Sequence, residues 1–146
     1  MNDRQGAPGA GPDAAVSSET AFVLDGDEAR FLTEVGFLAA AAGDVSRAGV
    51  VFGALRRVRP GRAYPCIGQA VAHMNAGQAL DAVRLLESAI ANDDEERALL
   101  RAWQGLALQV ASRRAESRRV LQEAAAMQGE GAALARRLLG VNESGG

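Results

Sequence analysis

Residues 36–52, Gly-Phe-Leu-Ala-Ala-Ala-Ala-Gly-Asp-Val-Ser-Arg-Ala-Gly-Val-Val-Phe, decide the fold, because their pattern returns further along the chain. Gly36 is matched 34 residues on by Ala70, Gly43 by Gly77, Ala48 by Ala82 and Phe52 by Leu86. A shift of 35 then carries Ala70 to Gly105, Gly77 to Ser112, Ala82 to Ser117, Leu86 to Leu121 and Ala89 to Ala124. Each unit reads as a pair of helices. Gly43 and Gly77 stand where a first helix closes, as glycine does at a helix C-terminus, and Asp44 and Ser112 can cap the helix that follows. Small residues at 36, 70 and 105, and again at 48, 82 and 117, let two antiparallel helices cross closely. The larger Phe52, Leu86 and Leu121 fill the space between neighbouring units. The spacing predicts helices near 28–42, 45–58, 63–76, 79–92, 95–111 and 113–127. A short closing helix follows over 132–139, with Arg136 and Arg137 keeping the end of the stack polar.

The bulk composition agrees with an all-α reading. Hydrophobic residues make up 48% of the 146 residues and aromatics only 4%, so strand-favouring residues are scarce and the helix formers Ala and Leu dominate. The net charge of −2 gives no electrostatic reason to expect nucleic acid or an anionic membrane. All 16 basic residues are Arg. Cys66, the single cysteine, cannot form an internal disulfide, which fits a reducing compartment. The N-terminus lacks the apolar core of a secretory signal, and the longest apolar stretch, Phe37 to Ala42, is too short to span a bilayer. A cytoplasmic location and no membrane insertion are expected. Residues 1–19, rich in Gly, Pro and Ser, read as a disordered tail; residues 20–140 form the helical domain, and 141–146 a flexible end. The apolar Ala21-Phe22-Val23-Leu24 can pack on the first unit or await a partner.

No catalytic set is visible. His73 and Cys66 are expected to be packed core residues, and one His with one Cys makes no zinc site. Asp93-Asp94-Glu95-Glu96 and Asp25-Gly26-Asp27-Glu28 read as dipole-complementary helix starts rather than cation sites. The Gly-rich residues 6–11 lack the lysine and helix of a phosphate loop. Arginines 56, 57, 59 and 62, and 113, 114, 118 and 119, read as solvated faces, with an acidic protein partner as the alternative. No enzyme activity and no cofactor are expected.

A period of 34 residues is the length of a tetratricopeptide repeat (TPR), whose pattern runs W-x2-L-G-x2-Y, then A-x3-F, then P. The chain is similar through Leu32-x2-Val35-Gly36, Ala48-x3-Phe52 and Pro60, and through Cys66-x2-Gln69-Ala70 and Ala82-x3-Leu86, with Asp94 where the second Pro would fall. The likeness implies an all-α, right-handed TPR-like solenoid of three helix-turn-helix repeats plus a short C-terminal capping helix. First helices line the concave face of such a stack. The residues pointing there are Arg30, Thr33, Phe37 and Ala40, then Tyr64, Ile67, Val71 and Met74, then Leu99, Ala102, Leu106 and Gln109. Most are apolar, and a contiguous apolar surface marks a partner site. Phe37, Tyr64, Ile67, Val71, Met74 and Leu106 are therefore the expected protein-binding groove.

The form Ala48-x3-Phe52-x-Ala54-Leu55, with Phe31-Leu32…Gly36-Phe37-Leu38 and Asp81-Ala82-x3-Leu86, resembles the small TPR chaperones of bacterial type III secretion systems over residues 29–126. The resemblance implies a cytoplasmic chaperone that binds a small secreted or apparatus protein as a heterodimer and keeps it soluble and secretion-competent. The translocator-binding subclass carries a helical N-terminus that residues 1–27 do not resemble. The alternative is a general bacterial TPR scaffold in pilus assembly or a regulatory complex.

Overall fold

The computed structural model describes residues 25–145, with side chains described as far as residue 140. The predicted tail at 1–19 and the apolar stretch at 21–24 lie outside the described residues. Among the described residues there are seven α-helices and no strand: α1 Gly26–Ala41, α2 Val45–Val58, α3 Tyr64–Asn75, α4 Ala79–Ser88, α5 Asp94–Val110, α6 Arg114–Ala125 and α7 Glu130–Gly145. None of them is long and apolar enough to cross a membrane.

The helix starts follow from the sequence. Asp25, Asp44 and Asp93 each accept the backbone N–H three residues on, from Glu28 at 2.8 Å, Arg47 at 3.0 Å and Glu96 at 2.9 Å. Each bond satisfies one of the free donors of a first turn. In α1 and α5 further acids, Asp27 and Glu28, then Asp94, Glu95 and Glu96, lie at the positive end of the helix dipole. Both acidic runs thus have a structural role.

The helix ends carry the repeat most clearly. Gly43, Gly77 and Ser112 all adopt left-handed backbone, with φ of 70°, 79° and 65°. The next residue reaches back in each case, Asp44 N to Ala39 O at 2.9 Å, Gln78 N to His73 O at 2.7 Å and Arg113 N to Leu108 O at 2.8 Å. This is one closing motif built three times. Ser112 stands in the glycine position and does not cap α6, whose N-cap Arg113 makes no side-chain capping bond to the backbone. A Cβ in this conformation costs about 1–2 kcal/mol. Ser112→Gly is therefore expected to raise stability by roughly 1 kcal/mol, measured as a higher midpoint in urea with an unchanged slope.

Each helix packs on the next in sequence, and α1 also touches α3, α3 touches α5, and α5 touches α7; the even helices do not touch one another. The layers run in parallel. Asn75 at the end of α3 donates to Ala40 O at the end of α1, and Glu96 at the start of α5 accepts from Ala63 N just before α3. Because the odd helices contact each other and the even ones do not, the stack closes up on the odd-helix side. The core consists of three clusters, centred on Phe52 with Leu55, on Ile67 with Leu86 and Leu100, and on Leu121 with Ala135.

Two boundaries differ from expectation. The helix predicted to 92 stops at Ser88, where Ala89 turns extended and the Asn92 N–H bonds Gly61 O at 2.9 Å. The closing helix runs to Gly145 rather than 139, because Leu134, Leu138 and Leu139 pack on the third cluster and hold it. A single glycine costs a helix only about 1 kcal/mol, so Gly140 does not end it.

Candidate functional site

The open side of the odd-helix layer carries one residue per pair at a fixed repeat position: Phe37, Val71 and Leu106, spaced 34 and 35 residues apart. Phe37 is 37% exposed, and its ring meets the buried Phe52 ring edge-on with centroids 4.9 Å apart. Val71 is half-buried and packs against both the Phe52 cluster and the Ile67 cluster, so it sits at the seam between the first and second pairs. Leu106 is half-buried on α5. Two helical turns earlier the matching positions are Arg30, Tyr64 and Leu99. The Tyr64 ring lies under Arg62, 5.6 Å from its centroid, and Arg62 is paired with Glu96 at 3.2 Å. One turn later Val110 extends the row with 52% of its surface exposed.

Of the six expected groove residues, Phe37 is exposed and Tyr64, Val71, Met74 and Leu106 are half-buried. Ile67 is 6% exposed and belongs to the core with Ala70, Val83 and Leu86. Ala40 and Ala102, expected to point to the concave face, are fully buried. The reason is rotational. Three residues from the groove position the helix surface has already turned toward the next odd helix, so residue 67 and its repeat equivalent, Ala102, face protein. Val110, which stands four residues after Leu106, is absent from the expected set, and stepping by four instead of three along α5 finds it.

Several polar groups nearby are engaged in structure. His73, expected in the core, is half-buried in the last turn of α3, with Nδ1 2.8 Å from Gln78 Oε1; the turn at Gly77 brings Gln78 back to it. Glu96 accepts from both Arg62 Nε and Ala63 N, and Arg113 pairs with Glu116 at 3.3 Å. Among the described residues no group of three or more His, Cys, Asp or Glu is placed to hold a metal. Cys66 is buried, as expected for a core thiol, and its Sγ lies 3.5 Å from Leu85 O. Burial pushes its pKa up, with Arg56 partly opposing. A thiol kept protonated and covered is a poor nucleophile. Native protein is expected to react with a thiol reagent orders of magnitude more slowly than urea-unfolded protein, measured by absorbance at neutral pH.

No protein-family model matches this chain, and no curated protein or solved structure matches it either.

Proposed function

We propose that this chain is a TPR-type export chaperone: a right-handed solenoid of three hairpins with α7 as its cap, holding an apolar segment of a protein client along the Phe37–Val71–Leu106 row. The observation that carries this reading is the row itself. Apolar side chains recur at one register on the inner side of a helical stack, where a water-facing surface would otherwise be polar. A client segment that buries three or four apolar anchors there gains about 1.5–3 kcal/mol for each before ordering costs. Recognition by apolar anchors suits an aggregation-prone export substrate, whose own hydrophobic segment needs covering until secretion. Clamping of a terminal carboxylate by groove lysines does not apply, since the chain contains no Lys. The role is binding and not turnover.

The test is affinity purification of the tagged full chain from its native host, followed by mass spectrometry. A single small protein recovered in a one-to-one complex supports the reading. Recovery of the chain alone, soluble and partner-free from cells grown under secreting conditions, contradicts it.

A further inference from the structure

The seams between helix pairs share one register, and the second seam lacks a part that the first one has. Gln69 on α3 and Gln104 on α5 are equivalent, 35 residues apart. In the first seam Arg56, in the last turn of α2, donates from Nη1 to Gln69 Oε1 at 3.3 Å. The shift of 34 that carries Phe52 to Leu86 carries Arg56 to Ile90. Ile90 lies beyond the end of α4 at Ser88, next to the extended Ala89, and is 82% exposed. The second seam therefore has no arginine at the position that serves its glutamine in the first. Gln104 is nonetheless buried, at 5% exposure, where Gln69 is only half-buried. Its Nε2 donates to Glu87 Oε2 at a long 3.5 Å, and among the described residues no donor reaches its Oε1. A buried amide oxygen without a partner is rare in a folded protein and calls for a reason.

The early end of α4 leaves a hollow of about 300 Å³ between α4 and α5. That volume takes a small molecule, since ligand pockets run from ~300 to ~1,000 Å³. Gln104 lines the hollow together with the apolar Leu86 and Leu100, and Glu87, Arg97 and Arg101 bring charges of both signs to it. Arg101 is held loosely, with Glu123 3.7 Å away, and Arg97 pairs with Asp94 at the surface. We propose that this hollow binds a free α-amino acid with an aliphatic side chain. The ammonium donates to Gln104 Oε1 and to the Glu87 carboxylate. The carboxylate accepts from Arg101 and Arg97, and the side chain lies on Leu86 and Leu100. The mixture of charges selects this class. A lone carboxylate would face two acceptors, the Gln104 oxygen and Glu87. A lone ammonium or guanidinium would face two arginines. The C-terminus of a polypeptide brings the carboxylate but only a neutral N–H to Glu87. At about 100° per residue, Arg97, Arg101 and Gln104 lie on the side of α5 opposite Leu106 and Val110, so the hollow is separate from the inner face.

The inference is independent of what the inner face binds. It is tested on the full chain by thermal midpoints and isothermal titration calorimetry with L-alanine, L-valine, L-leucine and L-isoleucine. At least one of the four is expected to raise the midpoint and to titrate as a single site, while its N-acetyl derivative and its amide bind at least about tenfold more weakly. Gln104→Met removes the acceptor and keeps the length of the side chain. It is expected to keep or raise the midpoint, because no buried amide is then left unpaired, and to weaken binding at least about tenfold. Arg101→Gln is expected to weaken binding as much with little change in midpoint, since its ion pair is exposed. No midpoint shift with any of the four at about 10 mM overturns the proposal, and so does binding that survives Gln104→Met. An N-acetyl derivative that binds as tightly as the amino acid overturns it in favour of a polypeptide C-terminus.

Discussion

Phe52→Ala is expected to destabilise the protein by about 3–5 kcal/mol and to lower its thermal midpoint by roughly 10–20 °C. The Phe52 ring is fully buried, and glycines from two other helices close on it. A Cβ built on Gly36 of α1 would stand 2.7 Å from the ring, and one on Gly68 of α3 only 2.2 Å. One aromatic side chain therefore fixes how closely α1, α2 and α3 approach. Leu121 does the same at the other end, where a Cβ on Gly105 would come within 2.4 Å. The converse changes overpack close crossings: Gly36→Leu at the Phe52 ring, or Ala70→Leu in the Ile67–Leu86 cluster, is expected to cost about 1–3 kcal/mol. Gly68→Leu placed in the Phe52→Ala background should recover part of its own loss, because the vacated space takes the new side chain. Circular dichroism melts and urea titrations read all of these. A loss below about 1 kcal/mol for Phe52→Ala would mean that the ring is not the spacer described.

The second large effect concerns binding. Phe37→Glu combined with Leu106→Glu is expected to weaken client affinity at least about 100-fold, since two charges then stand where apolar anchors dock. The helical spectrum should be unchanged, because Phe37 is 37% exposed and Leu106 only half-buried. Tyr64 and Val71 are poorer places for the charge. Tyr64 is half-buried on the Phe52 cluster and Val71 packs against two clusters. Phe37 meets Phe52 only by a ring edge and is 37% exposed, so glutamate at 64 or 71 would damage the fold more. Val50→Glu, on the opposite layer at 73% exposure, should leave affinity within about twofold, or roughly 0.4 kcal/mol.

Much of this was legible from residue spacing. The helix ends at Gly43 and Gly77 were read from one register; Ser112 shares that register and its left-handed backbone, although its hydroxyl suggested a cap for the next helix instead. Asp25, Asp44 and Asp93 announced their helices, because capping is a local interaction encoded within four residues. The end of α4 was not legible. Ala89, Ile90 and Ala91 favour continuing a helix, and what stops it is a bond from Asn92 to Gly61, some thirty residues back in the chain. The extension of α7 past Gly140 depends likewise on how Leu138 and Leu139 pack. At the site, the repeat position of Phe37, Val71 and Leu106 was readable, but hydrophobicity alone could not separate Val71 from Ile67. Only the rotation of α3 between two neighbouring odd helices decides that one faces the open side and the other the core.

The central claim, that a protein segment lies along the inner face of the odd helices, is tested most directly by site-specific photo-crosslinking in the native host. A photoreactive phenylalanine analogue would be placed singly at positions 37, 106 and 110, with position 50 on the outer layer as control. The account predicts one partner protein crosslinked from 37, 106 and 110 and none from 50. Crosslinks from position 50 alone, or none from any inner position in a chain that still co-purifies with its client, would contradict it.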